Sequence, residues 1–301
     1  MLYKYLNPHR ADVIENLSIR FSQPSALNDP FEATALIELS QIVSFNFEQE
    51  FEAMVNEEGL DRNDPEYQTL KEEVVAELEE HLAKIIHPKK VGDEIMERME
   101  YAQGVLSLSR TKESLLMWAH YGDSHKGYAL GFDENHEFFE VRDMMGRPTA
   151  PKNVVYTTQR VQIDASRDDY REAILCTKSL EWAYEEEVRV FRTFGRKFSD
   201  FERNTKGQIH LFPIPPDCIR EVYFGANCDT RTQKRILAAI DRHKLNVKVY
   251  VAHLLFEKYA LGFTEIPSTR IFSFRMKKFY KETASNLSDI ERSGYLTPDI
   301  G

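Results

Sequence analysis

Apolar and polar residues alternate with a period of two over Leu2–Leu6 and over Leu17–Phe21, the pattern of strands with one buried face. Between about Glu38 and Gln103 the period lengthens. Phe45, Phe47, Phe51 and Met54, then Leu70, Val74, Leu78, Leu82 and Ile85, recur three and four residues apart among many acids, which is helical spacing. Asn63-Asp64-Pro65 opens the longest of these helices and His87-Pro88 closes it. From Val105 the strand period returns. Val105–Ser109 reads as a buried strand, and Thr111 or Ser109 caps a helix over roughly Lys112–Tyr121 that Gly122 stops. Leu115, Trp118 and Ala119 make the buried stripe of that helix, and Tyr128–Phe132 is the return strand.

Further along, Asn153–Tyr156 reads as a strand, Asp169–Glu181 as a helix and Trp182–Phe194 as a strand. Ile209–Ile214, Glu221–Phe224, Val247–Ala252 and Tyr259–Ile266 are four more strands, and Thr230–Lys244 is an amphipathic helix burying Ile236, Leu237 and Ile240. Strand, helix and strand across Glu221–Ala252 predict one α/β unit. The predicted fold is therefore α/β (mixed α+β), a central, largely antiparallel sheet with flanking helices and a helical insertion after the second strand. Residues 1–280 form one domain, with the insertion at about 38–103 and a polar tail over 281–301.

Charge and composition narrow the functions. The net charge of −10 disfavours a general nucleic-acid surface, because phosphate recognition needs a positive field. Neither a signal-peptide core nor a membrane-length apolar run is present, so a cytoplasmic protein is expected. Cys176, Cys218 and Cys228 are odd in number and form no CxxC pair, as expected of free thiols in a reducing compartment.

Four stretches carry candidate chemistry. In Glu185-Glu186-Glu187-Val188-Arg189, strand alternation places Glu185, Glu187 and Arg189 on one face. Two carboxylates beside an arginine can divide roles, one raised in pKa to trade protons and one held ionised. Lys178, Glu181, Trp182 and Glu185 fall three and four apart, so a helical salt-bridge network competes with that reading. The second stretch holds Trp118, His120, Tyr121, Asp123 and His125, with Trp118 and Tyr121 able to floor a pocket for a flat ring and His125 in a turn. His120, Asp123 and His125 could ligate a metal, but no HExxH or paired-cysteine pattern supports one and no metal is assigned. Third, Asn28-Asp29-Pro30-Phe31-Glu32 is a helix start in which a capping box accounts for Asp29 and Glu32 and leaves Asn28 unexplained. Fourth, Arg270–Lys281 interleaves cations with aromatics as single-strand nucleic-acid surfaces do, and a lysine-protected edge strand is the favoured reading of it.

In order, FSQPSALNDPFE, LSLS, LMWAHYGDSHKGYALGFD, VVY and K-x3-W-x-YEEEVR resemble the uncharacterised bacterial domain-of-unknown-function family 2971, from Tyr3 to about Gly225. That resemblance implies a setting of bacterial stress or phage defence and assigns no reaction. The strand order and late Glu-x-Glu are also similar to the ADP-ribosyltransferase fold. This similarity implies NAD as cofactor or substrate, Glu187 steadying an oxocarbenium-like ribose, and Tyr121 or Trp118 against nicotinamide. Where those enzymes carry a His or Arg on the first strand, this chain has Tyr3-Lys4-Tyr5.

The expected function is an NAD- or nucleotide-directed, transferase-like toxin or defence effector. Its catalytic residues are Glu187, Glu185 and His125. Its substrate contacts are Trp118, His120, Tyr121, Asp123, Arg189, Lys178, Tyr3 and Asn28. The alternatives are a non-enzymatic nucleotide or protein sensor, with a protein partner on the helical insertion, and a metal-dependent nuclease.

Overall fold

In a computed structural model of the chain, the structure describes residues 1–29, 31–32, 36–37, 51, 65–85, 88–142, 148–160, 162–163, 170–195 and 206–266. Phe45, Phe47, Met54, Arg270–Lys281 and the 281–301 tail lie outside them. Eight strands make the central sheet: β1 (Leu2–Leu6), β2 (Gln103–Ser109), β3 (Tyr128–Phe132), β4 (Lys152–Asn153), β5 (Glu187–Thr193), β6 (Ile219–Phe224), β7 (Lys248–Leu254) and β8 (Leu261–Ile266). Their order is β8-β7-β6-β3-β1-β2-β5-β4, and every neighbouring pair is antiparallel except β6 with β7. The described helices are α1 (Asp12–Glu15), α2 (Pro65–Ile85), α3 (Pro88–Ala102), α4 (Leu115–His120), α5 (Tyr170–Leu175) and α6 (Thr230–Arg242). The mixed α+β class with a mostly antiparallel sheet is as the periodicity predicts. Among the described residues no helix is long and apolar enough to cross a membrane.

The parallel pair follows from its connection. A strand that returns parallel needs a crossover, and α6 supplies it between β6 and β7. Asp229 caps α6 by accepting from the Thr232 amide at 2.6 Å, and Ile236, Leu237 and Ile240 bury its apolar stripe against Val222, Phe224 and Val249.

Several local expectations change. The helix read as Lys112–Tyr121 is only Leu115–His120, and Ser114 caps it by accepting from the Met117 amide. Thr111 and Ser109 do not cap it: the Ser109 hydroxyl receives the Thr111 amide at 3.1 Å and donates to the Glu185 carbonyl at 2.6 Å. The shortened helix is rotated, so Met117 and Trp118 are buried while Leu115 and Ala119 are exposed. The helix read as Asp169–Glu181 ends at Leu175. Thr177–Ser179 then pairs with Val155–Thr157, and Leu180–Glu185 forms a 3₁₀ turn, so β5 begins only at Glu187. Pro88 opens α3, where the sequence suggested only the close of α2. Ser18–Phe21 is a strand, but it pairs with His210–Pro213 outside the central sheet.

Register decides what each sheet face carries. Opposed residues in an antiparallel pair share a face, so Tyr3, Ser109 and Glu187 stand together, as do Ser107 with Arg189 and Val105 with Phe191. The opposite face is apolar: Leu2, Leu6, Leu106, Leu108, Leu130, Val188, Val190 and Val222 form the main core. On the first face two smaller apolar clusters flank a polar seam. Trp118, Met117, Tyr5 and Tyr223 lie on one side of it, and Met99, Leu175, Val105 and Phe191 on the other.

The link from α4 to β3 has an unusual backbone. Asp123, Ser124 and His125 all have positive φ (47°, 54° and 65°), a left-handed turn costing L-residues about 1–2 kcal/mol each. Two glycines hold it. A Cβ on Gly127 would lie 2.1 Å from the Leu6 carbonyl oxygen, and one on Gly225 would lie 2.2 Å from that of His125. Gly127→Ala is expected to lower stability by about 1–3 kcal/mol, read by chemical denaturation, since backbone must move to admit the methyl. An unchanged midpoint would show that the turn is not held by this close approach.

Candidate functional site

The seam contains a buried ionic cluster centred on Lys178. Its ammonium lies 2.6 Å from Glu185 Oε2, 2.8 Å from Glu32 Oε1 and 3.3 Å from Glu187 Oε2. The ammonium donates hydrogen bonds to Glu185 and Glu187, while Glu32 is held by charge alone at its Oε1. Arg189 gives a second bridge. Its Nε donates to Glu187 Oε1 at 2.8 Å, and its Nη2 donates to Glu187 Oε2 at 2.9 Å and to Glu32 Oε2 at 2.6 Å. Its Nη1 donates to the Leu175 carbonyl. Arg189 is 1% exposed, so the fork is held away from water on every side.

Local structure explains how chain-distant acids meet. Glu187 and Arg189 share a face of β5, as alternation predicts. Glu185 is not on the strand: it ends the 3₁₀ turn, and Glu186 reverses the chain in the left-handed region at φ 44°. That kink points the exposed Glu186 outward and sends Glu185 and Glu187 to the same ammonium. Glu32 corrects the capping-box reading. Residues 31–32 are in a turn, Asp29 accepts from the Phe31 amide at 2.9 Å, and the Glu32 carboxylate goes to Lys178 and Arg189.

A hydrogen-bonded path runs from solvent to the cluster. The exposed Asn28 donates through Nδ2 to the Tyr121 hydroxyl at 2.6 Å, which donates to Glu185 Oε1 at 2.5 Å. These groups line a cavity of about 60 Å³ with Tyr3, Lys4, Ser107, Ser109 and Glu187, room for a few waters. The cavity opens where β1 and β2 part. Only Tyr3 and Ser109 are paired between them, and Lys4 Nζ reaches across to the Ser107 carbonyl at 2.8 Å.

Electrostatics set the two carboxylates apart. Burial pushes Glu185 above the usual carboxylate range, against the hydrogen bonds from Lys178 and Tyr121, and the charge of Glu187 adds to the rise. Burial also opposes ionisation of Glu187, but the Arg189 charge and its hydrogen bonds outweigh it and hold the group down at about 2. Lys4 is lowered to about 8, first by burial and then by Arg10 and Arg189, against the attraction of Glu187 and Glu185. The Tyr121 hydroxyl is raised by burial and by the adjacent Glu185, so it stays protonated.

Trp118, His120, Asp123 and His125 lie apart from this cavity or beneath it. Trp118 is fully buried, packs edge-on to Tyr5 at 5.0 Å and donates Nε1 to the Lys112 carbonyl at 2.8 Å, the geometry of a core tryptophan. His125 stacks on Trp118 at 6.3 Å and does not line the cavity. His120 is exposed beside Tyr121 and Tyr184, and Asp123 is exposed in the left-handed turn. Among the described residues no three His, Cys, Asp or Glu side chains are arranged to hold a metal ion. Tyr3 lines the cavity and reaches Glu221, which also receives the Tyr223 hydroxyl at 2.9 Å. The sequence reading passed over Glu32, Lys4, Ser107 and Ser109. Only Ser107 and Ser109 carried a signal, as hydroxyls at alternate positions of an otherwise apolar strand.

Nothing matches the chain among curated proteins or solved structures, so the similarity to the ADP-ribosyltransferase fold is not shown. One family model does match, over 117–190, a span that begins in α4 and ends within β5. It therefore holds Tyr121, Lys178, Glu185, Glu187 and Arg189, though neither Asn28 nor Glu32. Over that stretch the chain resembles the family described as Protein of unknown function (DUF2971).

Proposed function

We propose that the protein is an enzyme acting on a nucleotide of the NAD type, with Glu185 as its proton-transfer group. The observation that supports this is the divergence of two acids at one lysine, Glu185 raised and Glu187 lowered. Such divergence is how a site assigns one acid to trade protons and another to stay charged. Glu187 is chelated by Arg189, so its charge is already committed to the cluster. Glu185 instead bonds a neutral phenol and a lysine, and the Tyr121–Asn28 path gives its proton a route to solvent.

In the proposed reaction the C1′–N bond of the nicotinamide riboside unit breaks and its electron pair leaves with nicotinamide. The oxocarbenium-like carbon is then met by a hydroxyl or water, whose proton passes to Glu185. In a defence setting, as the family resemblance implies, this activity would act as a toxin or effector. Incubation of the full chain with NAD, followed by mass spectrometry, is expected to find free nicotinamide and an ADP-ribosyl product. Thermal stabilisation by NAD without turnover would replace this reading with that of a nucleotide sensor, and neither effect would discard both.

A further inference from the structure

Two lysines line the small cavity, and their surroundings differ. Lys178 meets three carboxylates within 3.3 Å and stays charged. Among the described residues the Lys4 amine has one hydrogen-bond partner, the neutral Ser107 carbonyl at 2.8 Å, and no carboxylate at ion-pair distance. Lys4 alternates with Tyr3 and Tyr5 along β1 and stands opposite Leu130, so its Cβ leaves from the apolar face of the sheet. Its amine nevertheless reaches the cavity, through the gap where β1 and β2 pair only at Tyr3 and Ser109. The reaction proposed above does not use this amine.

An amine drawn out of water against a neutral partner favours its uncharged form. The charges around it divide: Arg10 and Arg189 drive the proton off, Glu187 and Glu185 retain it, and burial tips the balance toward release near pH 8. A neutral lysine amine is a nucleophile toward a carbonyl carbon. Completing that addition needs an acid within reach, and Glu185 lines the same cavity. Space and polarity select the carbonyl compound. The cavity of about 60 Å³ has room for about four waters, which matches a molecule of about four heavy atoms. Ser107, Ser109 and Tyr121 line it with hydroxyls, and Glu185 and Glu187 repel a further carboxylate. A neutral hydroxyaldehyde therefore fits where a keto acid does not.

We infer that Lys4 forms an imine with a small neutral hydroxyaldehyde, the class to which C1 of a ring-opened ribose belongs. Lys4 thereby extends the chemistry of the same site, and this step rests on the reading of Glu185 as its proton-transfer group. The Lys4 nitrogen adds its lone pair to the aldehyde carbon, and one of its protons passes to the carbonyl oxygen. The carbinolamine hydroxyl then leaves as water with the proton of Glu185. An iminium remains on Lys4 and a carboxylate on Glu185. In the NAD reaction, that proton is the one Glu185 has just taken from the attacking hydroxyl or water.

Incubation of the full chain with glycolaldehyde and cyanoborohydride near neutral pH, followed by peptide mass spectrometry, tests this without NAD. A hydroxyethyl group is expected on Lys4 about tenfold faster than on the exposed Lys126 or Lys244, saturating as glycolaldehyde is raised. The rate at Lys4 should rise with pH through about 8. Lys4→Arg keeps a donor for the Ser107 carbonyl, so its thermal midpoint should hold while the trapping is lost. Pyruvate should not be trapped. Labelling of Lys4 no faster than of Lys126, trapping that persists in Lys4→Arg at Lys178, or a preference for pyruvate overturns the inference. Trapping without NAD turnover would leave Lys4 standing and remove the proposed cleavage. Turnover without trapping would do the reverse.

Discussion

Arg189→Met is expected to lower the stability of the protein by about 3–5 kcal/mol, the cost of removing one partner from a buried ion pair. At about 2–4 °C per kcal/mol for chains of some 150–250 residues, thermal unfolding should shift by on the order of 10 °C. The size follows from what the arginine holds: both oxygens of Glu187, one of Glu32, and the Leu175 carbonyl. Methionine fills much of the space but leaves three carboxylates sharing Lys178 alone. Lysine would not restore the fork, because one ammonium cannot bridge two carboxylates with planar geometry. Removing Glu187 together with Arg189, both as methionine, should recover part of the loss, a coupling that a double-mutant cycle would measure.

Acidity gives a second reading of the same bond. Glu187 is held at about 2 against an ordinary 4.5, so its contribution is complete above about pH 4.5 and disappears as pH falls toward 2. The gap between the unaltered protein and Arg189→Met should therefore narrow over that window. A gap independent of pH, or a loss below about 1 kcal/mol, would mean that the cluster is hydrated in solution.

Glu185→Gln is expected to reduce turnover of NAD by about 10²–10⁴-fold while leaving the fold intact. Glutamine can accept from Lys178 through its amide oxygen and donate its amide to the Tyr121 oxygen, and Lys178 keeps Glu32 and Glu187. The cluster counts three carboxylates against two cations, so neutralising one acid leaves the charges balanced. With Glu185 as base, the rate should fall with acidity through a midpoint above the ordinary carboxylate range, the direction in which burial moves that group. In the glutamine variant that limb should vanish. A variant with unaltered turnover would dismiss Glu185 as the proton-transfer group, whatever its stability.

Much of the fold was legible because its periods are strong. The α/β unit from Ile219 to Leu254 follows from apolar strand runs and the amphipathic stripe of α6. Boundaries failed where short-range hydrogen bonding competes with the period. Ser114 takes the cap that Thr111 or Ser109 was expected to provide, because the Ser109 hydroxyl is drawn to the Glu185 carbonyl 76 positions away. The Glu-x-Glu-x-Arg pattern located Glu187 and Arg189 through alternation alone. Glu32 was hidden for the opposite reason: a local cap explained it sufficiently, and its true partner is 157 positions distant. Trp118 and His125 drew attention as unusual side chains in a turn, yet the tryptophan is buried under Tyr5 and the histidine lies on its ring.

Lys178 lines both the small cavity, with Glu185 and Glu187, and a larger hollow of about 270 Å³, with Glu32, so it acts as a party wall between them. Whatever draws its ammonium toward Glu32 weakens its hold on Glu185, and protonating Glu185 frees it to lean the other way. The position of the ammonium and the proton affinity of Glu185 are thus linked, and the linkage must be equal in both directions.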